Sequence, residues 1–133
     1  MTGARAKFAN KMALVVHPDL EVLMAYQGAL ASNGIGTVVA RDLPTALLAM
    51  MQHYFEIAIV SSRISEQGDG WTLAGVLKRA FTSAFVAVIA PETNVPNLTA
   101  AINSGVTQIY ENDLPVPEVV ASVLTASAVP QDR

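Results

Sequence analysis

The sequence predicts a single doubly wound α/β domain, a five-stranded parallel sheet in the flavodoxin-like order 2-1-3-4-5 with helices on both faces. Three observations lead there. Short apolar runs rich in β-branched residues alternate with segments of helical length and period, five times over, and a parallel sheet with crossover helices requires that alternation. The runs are continuously apolar, which is the pattern of strands buried on both faces. The chain has 133 residues, one domain's worth. At that size the right-handed crossover rule leaves few strand orders, and 2-1-3-4-5 is favoured.

The elements follow in turn. Residues 1–10 read as an N-terminal tail, 11–126 as the domain and 127–133 as a C-terminal tail. The first strand is Met12-Ala-Leu-Val-Val16. Leu20, Val22, Leu23, Tyr26 and Leu30 then form one apolar stripe at helical spacing. Asn33-Gly34 ends that helix, because glycine accepts the left-handed conformation of a helix C-terminus. Thr37-Val-Val-Ala40 is the second strand. Leu43–Tyr54 is the second helix, with the Asp42 carboxylate placed to cap its first turn. Ile57-Ala-Ile-Val60 is the third strand and Trp71–Phe81 the third helix. Phe85-Val-Ala-Val-Ile89 is the fourth strand, and Val95–Asn103 the fourth helix, ended by Ser104-Gly105. A weaker strand, Thr107-Gln-Ile-Tyr110, precedes a fifth helix, Pro115–Thr125, whose proline suits a first turn.

Composition narrows the function classes. Apolar residues make up 52% and charged residues 14%, against about 25% charged in an average soluble domain. A chain this apolar is not intrinsically disordered. Its longest apolar stretches, such as Phe85 to Pro91, stop far short of the ~20 residues that a membrane span needs. Cysteine is absent, which excludes a disulfide framework, a thiolate metal site and a cysteine nucleophile. Net charge is −3. Arg5, Lys7 and Lys11 form a basic arm without acids, whereas from Met12 to Gln131 four bases face ten acids. An acidic body does not suit nucleic-acid binding, and the arm reads as a solvated tail. The start lacks the apolar run of a signal peptide. The expectation is a cytoplasmic protein with neither nucleic-acid nor membrane partner.

In a sheet of this order, ligands bind at the carboxyl ends of the strands, near strands 1 and 3. The informative residues are therefore His17-Pro18-Asp19, Ser61-Ser62-Arg63, Ala90-Pro91-Glu92 and Glu111-Asn112-Asp113. A dinucleotide fold needs G-x-G-x-x-G after the first strand, but the turn there is His-Pro-Asp-Leu-Glu. Gly34-Ile35-Gly36 lies before the second strand and reads as a helix cap. There is no Walker motif and no Ser/Thr/Gly phosphate loop. His53 falls on the second helix and reads as a surface or boundary residue. Ser62, His17 and Asp19 are the residue types of a hydrolytic triad, without the G-x-S-x-G elbow that such a nucleophile uses.

Phe55-Glu-Ile-Ala-Ile-Val-Ser-Ser-Arg-Ile-Ser-Glu-Gln-Gly-Asp-Gly-Trp71 resembles the third strand and following loop of response-regulator receiver domains. Asp69-Gly70 matches the dipeptide that closes that loop, and Gly105-Val-Thr107 is similar to the Gly-Ala-x before the family's fifth strand. The resemblance extends over residues 11–126. It implies the same doubly wound fold, and a site in which two acids after strand 1 and one Asp after strand 3 hold Mg²⁺, a hard cation wanting oxygen ligands. The strand-3 Asp accepts a phosphoryl group, a Ser or Thr after strand 4 bonds it, and a Lys after strand 5 neutralises it.

Carried over position by position, none of these five groups is present. The acid pair is replaced by His17 and Pro18. Eight residues before Gly70, the phosphoacceptor position holds Ser62. The hydroxyl position holds Ala90, and Asn112-Asp113 stands for the Lys-Pro pair. Asp19 alone does not supply the charge that Mg²⁺ needs. A serine is a poor nucleophile without a base and a third group to orient that base, so His17 and Ser62 read as fillers of a relic pocket. The resemblance thus implies an aspartate-less pseudo-receiver: a non-enzymatic signal-transduction domain with no metal or cofactor, acting by phosphorylation-independent protein–protein contact. The alternative is a small-molecule sensor, with Arg63 and Trp71 joining His17 and Ser62 in a pocket at the strand ends. Arg63 otherwise pairs with Glu66 or Asp69 or stays solvated, and Trp71 otherwise packs over the start of the third helix.

The family's docking face is helix 4, strand 5 and helix 5. Here the fourth predicted helix has no charged residue and the fifth has one, Glu118. Interface cores are depleted in charge, so this face is the candidate surface for a protein partner, including a second copy of the chain. Val95, Leu98, Tyr110 and Val119 are its candidate contact residues. Tyr110 sits one position past the family's usual switch aromatic, where this chain has Ile109, so it is assigned as an interface anchor instead of a switch.

Overall fold

The structure is a computed structural model that describes residues 11–65, 69–91, Thr99 and 105–128. Its elements are β1 (Met12–Val16), α1 (Leu20–Ala31), β2 (Gly36–Ala40), α2 (Leu43–Gln52), β3 (Ile57–Ser61), α3 (Gly70–Ala80), β4 (Phe85–Ala90), β5 (Gln108–Glu111) and α4 (Val116–Ala128). The strands form one sheet in the order β2-β1-β3-β4-β5, and every neighbouring pair is parallel. This is the doubly wound order that the alternation predicts. The predicted helix Val95–Asn103 lies, except for Thr99, outside the described residues. The last helix runs to Ala128, past the expected domain end at 126.

Side chains alternate across each strand and feed two apolar clusters. Ala13 and Val15 of β1, Ile57 and Ile59 of β3, and Ala87 and Ile89 of β4 pack with Leu23, Tyr26 and Leu30 of α1 and Val119, Val120 and Val123 of α4. The intervening residues Leu14, Val16, Ala58, Val60, Val86 and Val88 pack with Ala46 and Ala49 of α2 and Leu73, Ala74 and Leu77 of α3. Both faces of β1, β3 and β4 are covered, which is why their runs are continuously apolar.

Local chemistry sets the helix ends. Asp19 caps α1 by accepting from the Glu21 N–H at 2.9 Å. Asp42 caps α2 by accepting from the Thr45 N–H at 2.8 Å, and hydrogen bonding from Thr45, through its side chain first and its backbone N–H second, holds the carboxyl below the usual range. α1 closes on Gly34 at φ 79°. The Gly34 N–H reaches Ala31 O and the Ile35 N–H reaches Leu30 O, the paired bonds of a left-handed glycine cap. α2 stops at Gln52, short of the expected Tyr54, because His53 is extended at φ −137° and ψ 155°. The turn delivers Phe55 to the core, edge-on to Phe81 at 5.8 Å.

Candidate functional site

All strands run the same way, so the residues after β1, β3, β4 and β5 share one edge of the sheet. Backbone bonds hold them to their neighbours. The His17 N–H donates to Ala40 O at 3.1 Å, Ser62 to Ile89 O at 2.8 Å and Asn112 to Ala90 O at 2.7 Å. The five positions taken from the resemblance therefore do lie along one edge. Ser62 and Ala90 are buried, His17 is half-buried, and Pro18 and Asn112 are exposed.

The first turn is internally satisfied. His17 Nδ1 accepts from the Asp19 N–H at 3.0 Å, which assigns the neutral ring with its proton on Nε2. Burial pushes this imidazole below its ordinary value, and the Asp19 carboxylate pulls the other way. Asp19 is engaged in capping α1. Arg41 Nε donates to Pro18 O at 3.2 Å and so ties the turn to the end of β2. The second turn closes on itself: Ser61 Oγ donates to Arg63 O at 3.1 Å and accepts from the Arg63 N–H at 3.2 Å. Asp69 accepts from Ser65 Oγ at 2.9 Å. Among the described residues, no hydrogen bond joins His17 to Ser62, and no three His, Asp or Glu side chains lie together as a metal site would need.

Gly70 explains why α3 starts where it does. Its N–H donates to Ser62 O at 3.1 Å. A Cβ here would stand 1.8 Å from Ser61 O and 2.6 Å from Ser62 Cα, so the helix reaches the end of β3 only as glycine. The sequence signal was the Asp69-Gly70 dipeptide, although its steric reason was not visible there. Trp71 follows, half-buried against the cluster that includes Leu73 and Phe81, as expected for a ring packed over the start of this helix. Arg63 is exposed.

The candidate interface residues need correction. Val119 is 1% exposed and Tyr110 is 6% exposed. Val119 faces the sheet from α4. Tyr110 lies opposite Ile89, on the same side, with its hydroxyl 2.8 Å from Ser122 Oγ. Both belong to the core and present no surface to a partner. Val95 and Leu98 lie outside the described residues. Sequence reasoning also overlooked the outer side of α2. Leu43-Pro-Thr-Ala-Leu-Leu-Ala-Met-Met51 is apolar nearly all round, and a helix on a sheet buries only one side.

No family model matches the sequence, and no curated protein matches it. Solved structures match the fold. A two-component response regulator from Clostridium difficile superposes with a TM-score of 0.81 at 18% identity, over 93% of this chain and 100% of that one. A CheY-like receiver domain from Methanospirillum hungatei gives 0.80 at 14% identity, over 88% and 93%. A response regulator from Burkholderia pseudomallei, solved with a phosphorylated aspartic acid and a calcium ion, gives 0.78 at 18% identity, over 90% and 69%. With its strand order, its paired helix layers and its Asp69-Gly70 turn, the chain has the fold of response-regulator receiver domains.

Proposed function

We propose that this chain is a non-enzymatic signalling domain of the cytoplasm that has kept the receiver fold and acts on protein partners without aspartyl phosphorylation, metal or cofactor. The observation that carries the reading is the set of side chains along the carboxyl edge of the sheet: His17, Pro18, Ser62, Ala90 and Asn112. Phosphoryl transfer to a receiver needs a carboxylate nucleophile, acidic oxygens for a hard cation and a cation for the product. This edge offers a buried serine, a neutral imidazole, a proline, an alanine and an amide. The Burkholderia structure carries a phosphorylated aspartic acid, whereas the residue carried over to that position here is Ser62. His17 does not activate Ser62, since its Nδ1 is occupied by the Asp19 N–H. Without phosphorylation to bias its surface, the domain acts through a face that is always presented.

Incubation with Mg²⁺ and a small phosphoryl donor, followed by intact-mass measurement, is the direct test. The expected result is an unchanged mass and an unchanged Trp71 fluorescence. A phosphorylated protein, with the label on any residue of the strand-end turns, overturns the reading.

A further inference from the structure

The outward side of α2 is apolar and uncharged. Leu47, Leu48 and Met51, with Tyr54 just past the end of the helix, are 41%, 53%, 83% and 57% exposed. The opposite side of the helix, Ala46 and Ala49, is buried on the sheet. No residue from Leu43 to Gln52 carries a charge. The four large side chains expose on the order of 500 Å², near the top of the range for the largest apolar patch of a monomer. That is more than half of the roughly 800 Å² that each partner buries in a stable interface, and exposed Pro44, Thr45 and Gln52 extend it.

We propose that a second copy of this chain covers this face, in a two-fold contact that packs α2 antiparallel against α2. Charge selects the occupant. The domain, residues 11–126, has five bases and ten acids, so two copies carry net charge of the same sign and gain most where they meet through an uncharged face. The outer face of α2 meets itself with no like charges opposed, and two-fold contacts require such a self-matching face. The ends of the helix complement each other. Arg41 and Asp42 stand at its start, and Glu56, paired with Lys11 at 3.8 Å, follows its end at Gln52 by four residues. An antiparallel contact brings Asp42 of one copy toward Lys11 of the other, and Arg41 toward Glu56. It also opposes the two helix dipoles. The apolar side chains of this contact do not include the strand-end residues His17, Pro18, Ser62, Ala90 and Asn112, and the contact does not depend on the absence of phosphoryl chemistry.

Sedimentation of the full chain across the micromolar range tests it. The expected result is a monomer–dimer equilibrium that Leu48→Glu and Met51→Glu each weaken ~10-fold or more, since a charge would be buried without a partner. Met24→Glu, at an α1 position that is 55% exposed, leaves it unchanged. All three sites are exposed, so the variants fold, and circular dichroism checks that they do. The chain has no cysteine, which permits a second measurement. Leu48→Cys, at mid-helix beside the two-fold axis, forms a disulfide with its own copy under mild oxidation, and Met24→Cys stays monomeric. A monomer throughout the range overturns the proposal. So does a dimer indifferent to Leu48→Glu and Met51→Glu, or equal cross-linking of the two cysteine variants.

Discussion

At the end of β1, His17 does a structural job with one ring nitrogen. Nδ1 accepts from the Asp19 N–H, and that bond sets up Asp19 to cap α1. Protonation would place one N–H against another, so hydrogen bonding and burial both favour the neutral ring. The folded value is depressed. The stability from this group is therefore present above the ordinary histidine value and is lost as pH falls through the folded value. NMR titration should find the His17 midpoint below that of an ordinary histidine, with the Asp19 amide moving along the same curve. A midpoint at or above the ordinary value contradicts the assignment. Tyr26 carries the opposite sign. Burial, reinforced by Tyr110, raises its phenol from 10.0 to about 12. Its contribution is complete below pH 10 and is lost as pH rises toward 12. Over that window the unfolding free energy of the wild type should fall by up to about 3 kcal/mol more than that of Tyr26→Phe. Parallel curves for the two proteins would show that Tyr26 is not the group responsible.

Two helices are fixed by contacts that a single substitution can probe. α3 meets β3 through Gly70, whose missing side chain leaves room for the backbone of Ser61 and Ser62. Rigid backbone cannot step aside as a flexible side chain would, so Gly70→Ala should cost about 3 kcal/mol in urea unfolding. A cost below about 1 kcal/mol would mean that α3 is free to lift off the strand end. The far end of α3 is tied differently: Lys78 Nζ donates to Ala84 O, and its stem runs along Gly105. α4 turns Val119, Val120, Val123 and Leu124 into the core. Val119→Glu therefore destabilises the fold outright by burying a charge, and is no probe of a surface. Val119→Ala should cost about 2 kcal/mol and leave the sedimentation behaviour of the folded protein unchanged. A variant of wild-type stability would return Val119 to the surface.

Across the whole molecule, sequence is most informative where two requirements coincide. β1, β3 and β4 each need apolar residues at both odd and even positions, because helices cover both faces, and that need writes a continuous run that is readable without coordinates. The strand-end residues were legible for the same reason: runs ending at Val16, Val60, Ile89 and Tyr110 are enough to place His17, Ser61-Ser62, Ala90 and Glu111-Asn112 on one edge. The rotation of the helices was not legible. α2 and α4 carry so little charge that polarity does not mark which side faces out. Val119 reads as an interface residue and is core, whereas Leu48 and Met51, to which the sequence assigns no side, face out. Steric detail such as the Gly70 approach depends on atoms far apart in sequence. The same two-faced strands have a thermodynamic consequence. Each apolar cluster includes alternate residues of the same three strands, so neither can melt while the other keeps its sheet. Trp71, the only tryptophan, reports on the α2–α3 side, and Leu23 is fully buried on the α1–α4 side. Leu23→Ala should cost about 2–5 kcal/mol and shift the urea transition seen by Trp71 fluorescence as far as that seen by far-UV circular dichroism. If the Trp71 transition stays at its wild-type midpoint while the dichroism shifts, the two faces unfold separately, and the single cooperative unit argued from the shared strands is wrong.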